Sequence, residues 1–123
     1  MPEAVNVLIQ NLGDITVVSF EDPRLLEACK IERIGAELYP LADTLSRKKI
    51  VLDFSKVQFF ASAAVGMLIN LHKKSAAIGG TLVICGLRNE LKKVFELLKL
   101  TKLFTFTATS AEALEQLGPT PAA

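Results

Sequence analysis

Apolar residues recur along this chain at two periods. Residues 5–9 and 15–20 are short β-branched and apolar runs separated by Asn11-Leu12-Gly13-Asp14, a polar bend containing the glycine that such turns favour. Together they predict an opening hairpin. Glu21-Asp22-Pro23 breaks the extended pattern. Beyond it Ile31, Ile34, Leu38, Leu41 and Leu45 fall at steps of three and four, the period of an amphipathic helix. Pro40 lies inside that stretch and costs ~3 kcal/mol in a helix interior, which predicts a kink or a restart near Tyr39.

The second half alternates. Residues 49–54 read as a central strand, 81–85 as another and 104–106 as a shorter third, each preceded by a helical stretch. A helix over residues 62–78 stops at Gly79-Gly80, a pair suited to a left-handed helix terminus. Another covers residues 89–98. Ser110 is placed to cap a last helix through Leu117. Strands alternating with helices imply parallel pairing through right-handed crossovers. The predicted fold class is α/β: one domain over residues 1–118, a mixed β-sheet with parallel central strands and helices packed against it. Residues 119–123, Pro-Thr-Pro-Ala-Ala, read as a flexible tail.

Composition narrows the classes. At 123 residues the chain suits one domain with a single core. Half of it is hydrophobic, which raises the question of a membrane span. The longest stretch free of Lys, Arg, Asp and Glu, residues 57–72, is broken by Gln58, Ser62 and Asn70 and falls short of the ~20 apolar residues a span needs. The apolar excess therefore implies a sheet buried on both faces. The first residues lack the basic region and apolar core of a secretion signal, so a cytoplasmic location with no direct membrane insertion is expected. A net charge of +1 gives no general attraction to nucleic acid. Cys29 and Cys85 are too few and too far apart for a metal knuckle or a redox pair, and no metal or cofactor is expected.

Candidate chemistry centres on Ser62, a lone hydroxyl where a strand leads through a short loop into a helix. A serine there is an ordinary helix cap and also a seat for a phosphate. If Val65, Leu68, Ile69 and Ala76 face the sheet, then Ser62, Gly66, Met67, Asn70 and Lys74 fall on the opposite side. An exposed Met67 beside Gly66 is either an adaptable partner contact or the cover of a neighbouring loop.

Enzyme readings fail on geometry. A nucleophile elbow needs Gly-x-Ser-x-Gly, whereas Phe60 and Ala64 hold the glycine positions. His72 lies ten residues along the same predicted helix, about 15 Å away at 1.5 Å per residue. Gly79-Gly80-Thr81 lacks the Gly-Lys-Ser/Thr ending of a phosphate loop and lies at a helix C-terminus, the wrong pole for an anion. No catalytic role is expected.

The order of elements, with the words Val51-Leu52-Asp53-Phe54-Ser55-Lys56-Val57, Phe60-Ala61-Ser62-Ala63-Ala64-Val65-Gly66 and Gly79-Gly80-Thr81-Leu82-Val83-Ile84, resembles the STAS domain, and in particular stand-alone anti-sigma factor antagonists. The resemblance implies that Ser62 is phosphorylated by a partner, an anti-sigma factor with serine kinase activity, and that Asp22 lies in a loop flanking the site. The chain departs from the family's Asp-Ser-Ser/Thr-Gly word: Ala61 and Ala63 replace the acidic neighbour and the second hydroxyl. The expected contact set is Asp22, Ala61, Ser62, Ala63, Gly66, Met67 and Asn70, with phosphorylation at Ser62. The alternative is a non-switching subunit docked on a transporter ATPase or on other STAS or scaffold proteins.

Overall fold

The computed structural model describes residues 7–117. In chain order its elements are β1 (Val7–Leu12), β2 (Ile15–Phe20), β3 (Arg24–Leu25), α1 (Ala28–Asp43), β4 (Lys49–Asp53), β5 (Phe59–Phe60), α2 (Ser62–Ala77), β6 (Thr81–Cys85), α3 (Asn89–Leu97), β7 (Thr105–Thr107) and α4 (Ser110–Leu117). The opening hairpin is tighter than the polar run suggested. Asn11 and Leu12 belong to β1, Leu12 pairs with Ile15, and only Gly13 and Asp14 turn, with Gly13 at φ +64°. The Asn11 side chain accepts the Thr16 hydroxyl at 2.9 Å instead of making the turn. Val5 and the expected C-terminal tail lie outside the described residues.

The main sheet has the order β1-β2-β4-β6-β7, with β1 antiparallel to β2 and every other pairing parallel. After the hairpin the chain steps in one direction only, so α1, α2 and α3 lie on the same face. Val18, Leu52 and Ile84 of the strands pack there with Ile34, Leu38, Leu68 and Phe95 of the helices. The opposite face is Ile15, Val17, Val51, Val83 and Cys85, covered by Ala113, Leu114 and Leu117 of α4. Burial of both faces accounts for the apolar composition; each fully buried aliphatic side chain contributes roughly 1.5–3 kcal/mol. One-directional winding also removes the point where strand order reverses, the usual ligand crevice of open α/β sheets.

Expectations at the ends of two helices change, and one at a third holds. α1 passes through Pro40 as a single helix with no restart and ends three residues later, at Asp43. Pro40 sits in the last turn, where the lost N–H disturbs only the helix end. Leu45 is therefore outside α1 and 61% exposed. α4 is capped by Thr109 rather than Ser110: the Thr109 hydroxyl accepts the Glu112 N–H at 3.2 Å, and the Glu112 carboxylate accepts the Ala108 N–H at 3.2 Å, a variant of the capping box shifted to the residue before the cap. At the end of α2, Gly79 adopts φ +70° as the glycine pair predicted, and a Cβ on Gly80 would lie 2.7 Å from the Lys48 carbonyl oxygen.

Candidate functional site

The loop between β4 and α2 is held from both sides. The Asp53 carboxylate accepts the Ser55 N–H at 2.9 Å, forming a local turn, and Phe54 donates its N–H to the Cys85 carbonyl at 2.9 Å. Phe54 and Val57 are wholly buried and anchor the loop in the core. Gly86 allows β6 to pass close by: its φ is +69°, and a Cβ there would stand 2.9 Å from the Ser55 nitrogen.

A second, two-stranded parallel sheet was not expected from the sequence. β3 pairs with β5, Arg24 opposite Phe59 and Leu25 opposite Phe60. The Pro23 carbonyl accepts N–H groups from Gln58 at 2.8 Å and Phe59 at 3.1 Å, and the Leu25 carbonyl accepts that of Ala61 at 2.8 Å. These bonds fasten the segment carrying Asp22 to the segment carrying Ser62. Strands of two residues are too short for period-two reading; the available signal was Leu25 and Phe60, apolar residues outside the main runs.

Asp22 is half-buried and ion-paired with Lys30 of α1, while its other oxygen accepts the Arg24 N–H at 2.9 Å. The Lys30 hydrogen bond, then the Arg24 N–H, hold its carboxyl below the usual carboxylate range. Asp22 thus positions the loop. Arg24 lies 5.7 Å from the centre of the exposed Phe59 ring, and Leu26 is exposed beside it.

Ser62 is the first residue of α2 and is exposed. The cap position is Ala61, with extended backbone and no side-chain cap, so Ser62 does not cap the helix as expected. From Ser62 the exposed stripe of α2 runs through Ala63, Gly66 and Asn70. With Ala28, Ile31, Glu32 and Tyr39 of α1, the last three of these and Met67 line a groove of about 350 Å³ between the helices. Lys74 lies at 5.3 Å over the Tyr39 ring and binds Asp43 at 2.7 Å.

Met67 is a correction. It is 5% exposed and belongs to the core. α2 packs against α1 as well as the sheet, so its buried arc takes in Ala64, Val65, Met67, Leu68, Leu71 and Ser75. Ala76, expected to face the sheet, is exposed, and Ile69 and Lys74 are half-buried. His72 lies edge-on to Phe104, with ring centres 5.4 Å apart. Among the described residues no group of His, Cys, Asp and Glu is arranged to hold a metal ion, and no helix is long and apolar enough to cross a membrane.

This arrangement of strand, serine-led helix, glycine pair and strand, with α4 on the far face, corresponds to a known domain: the STAS domain model matches residues 6–113. The chain belongs to the STAS domain family. A Bordetella bronchiseptica protein, BtrV, which carries the name of an anti-sigma factor antagonist, is 27% identical over 89 residues, covering 72% of this STAS domain chain and 75% of its own. Among solved structures, an anti-sigma factor antagonist (STAS) domain protein from Planctomyces limnophilus has a TM-score of 0.82 at 21% identity, covering 90% of this chain and 97% of that one. The Bacillus protein SpoIIAA in its phosphorylated form has a TM-score of 0.73 at 19% identity, covering 90% and 98%. At such identity the two structures establish the fold alone.

Proposed function

We propose that this STAS domain is an anti-sigma factor antagonist working as a partner switch. Unmodified, it binds an anti-sigma factor with serine kinase activity, which frees the sigma factor; phosphorylated on Ser62, it lets go. The domain is the kinase's substrate and not itself an enzyme. The observation that carries this reading is an exposed Ser62 at an uncapped helix N-terminus, on the stripe that continues into the α1/α2 groove.

The physics of that position supports release without unfolding. A phosphate on Ser62 adds about −1.5 to −2 charges where free N–H groups and the helix dipole favour an anion, so the modified domain stays folded. An apolar partner contact that tolerated a hydroxyl would have to desolvate the dianion, and binding is lost. The partner surface on this reading is Ala61, Ser62, Ala63, Gly66 and Asn70, with Met67 as the floor of the groove and Asp22 holding the adjacent loop. The naming of BtrV and the solution of SpoIIAA in a phosphorylated form are consistent with it.

The test is capture from native lysate with unmodified protein and with Ser62→Glu, identifying by mass spectrometry what the substitution removes. An ATPase of the anti-sigma kinase type bound by the unmodified protein and lost with Ser62→Glu is the expected result. The same partners on both forms would sink the switch and favour a permanently docked subunit.

A further inference from the structure

We propose that β1 is a self-pairing edge, through which two copies of this chain join antiparallel about a twofold axis centred on Gln10. Among the described residues β1 is an edge of the five-stranded sheet and pairs only with β2. Proteins usually blunt such edges with charge, proline, bulges or shortness. β1 has none of these devices: it is Val-Leu-Ile-Gln-Asn-Leu, six residues, and its register with β2 is unbroken. The opposite edge, β7, is only three residues long, with the Lys92 ammonium 5.8 Å from the Phe106 ring centre.

The backbone fixes which groups the edge offers. The two-residue turn makes Leu12 and Ile15 the closing, hydrogen-bonded pair, and such pairs alternate along an antiparallel ladder. Counting back, Leu12, Gln10 and Leu8 spend their N–H and C=O groups on β2. Val7, Ile9 and Asn11 turn theirs outward. A second strand meeting this edge must therefore bond to residues of the odd set.

Side chains select the register. Val7 and Ile9 pack on the helix face of the sheet, so Leu8, Gln10 and Leu12 lie on the other face. Leu8 is 47% exposed and Leu12 48%. They stand symmetrically about Gln10. Antiparallel pairing centred there puts Leu8 opposite Leu12 of the second copy twice over, in the non-hydrogen-bonded positions where side chains come closest. It also puts Ile9 opposite Asn11 of the second copy, the outward-bonding residues that complete the ladder. Centring on Ile9 instead would set Leu8 against Gln10 and Val7 against Asn11, so that the two leucines no longer face each other.

Charge favours a second copy as the occupant. A twofold axis places a residue opposite itself, so any charge at the centre is repelled. β1 carries no charge, and the Gln10 amide, both donor and acceptor, can bond its own symmetry mate. One strand per copy is small beside the ~1,600 Å² of a standard stable interface, so the dimer is weak, with a dissociation constant on the order of 0.1 mM. It uses none of the residues assigned to the Ser62 surface and stands or falls independently of the switch.

Sedimentation equilibrium of the full chain from about 10 µM to about 1 mM tests this. The expected result is a reversible monomer–dimer equilibrium, weakened tenfold or more by Gln10→Lys, which opposes like charges at the axis. L8E and L12K each weaken it, and the L8E/L12K double variant recovers dimerisation, in a salt-sensitive way, because opposite charges then face each other across the axis. All these side chains are exposed, and far-ultraviolet circular dichroism confirms folding. A wild-type chain that stays monomeric throughout overturns the proposal. So does a Gln10→Lys dimer of undiminished affinity, or a double variant no better than the two singles.

Discussion

The N–H of Ala61 donates to the carbonyl of Leu25 at 2.8 Å, tying the residue before Ser62 to the strand that follows the Asp22 loop. Ala61 thereby fills the cap position of α2 with a residue that has no capping side chain, and Ser62 is left with an exposed hydroxyl. The serine is available because another residue took the place in which it would have been occupied.

That placement separates the two roles a serine can have here. Replacing a capping serine by alanine costs ~1 kcal/mol. Ser62→Ala is expected to change stability by less than about 0.5 kcal/mol, since no cap bond is lost. Ser62→Asp, by contrast, places a carboxylate in the first turn, which now contains no acidic residue, and should stabilise by about 0.3–1 kcal/mol at low salt. Urea unfolding of the three proteins reads both. A loss near 1 kcal/mol for Ser62→Ala would restore the capping role.

Asp22 gives the fold a dependence on acid. Lys30 and the Arg24 N–H hold its carboxyl below the usual carboxylate range. A group with a lowered folded pKa contributes stability that is present above its unfolded value and is lost as pH falls through the folded one. Asp22→Asn should therefore destabilise the domain by about 1 kcal/mol at pH 7 and make little difference near pH 2. Denaturation midpoints of both proteins across that range decide it; equal differences at both ends would mean that the Asp22 charge is not what matters.

Much of this was legible from periodicity, and the misreadings share physical causes. The central strands and the span of α2 follow from runs long enough to display a period. A helix wheel assumes one buried face and so puts Met67 on the wrong side, while α2 is enclosed by both the sheet and α1. The run Asn11-Leu12-Gly13-Asp14 reads as a turn because Asn, Gly and Asp favour bends, yet Asn11 is satisfied by Thr16 within the hairpin and Leu12 pairs with Ile15. β3 and β5 exist through long-range pairing, so the fastening of the Asp22 and Ser62 loops leaves no local signature beyond the apolar Leu25 and Phe60. Ser62 itself was visible from its place between strand and helix, but whether it capped the helix depended on the Ala61 backbone.

Gly66 separates groove from fold. It is exposed in mid-helix, and a Cβ there would meet nothing within 4 Å. Gly66→Ala should raise stability by about 0.5–1 kcal/mol through helix propensity. Gly66→Leu keeps part of that gain while projecting into the groove shared with Tyr39 and Asn70. On the partner-switch reading it should weaken partner binding tenfold or more with a melting temperature at or above wild type. Calorimetric titration beside thermal melts would show it, and undiminished binding by Gly66→Leu would move the contact surface off the groove.

The two cysteines should behave as opposites. Cys29 is exposed in the first turn of α1, whereas Cys85 is wholly buried at the end of β6. Burial, and secondarily the neighbouring Asp53 charge, push the Cys85 thiol up to about 12. Its thiolate is the reactive species, so near pH 8 both access and ionisation are denied. A disulfide reagent should titrate one thiol rapidly in the native protein and release the second only at the rate of unfolding. Cys29→Ser should abolish the fast phase and leave the slow one. Because Cys85 packs with Val51 and Ala113 on the face covered by α4, the slow rate also reports how readily α4 lifts. Rapid reaction of both thiols in urea-free buffer would mean that this face opens far below the global unfolding free energy.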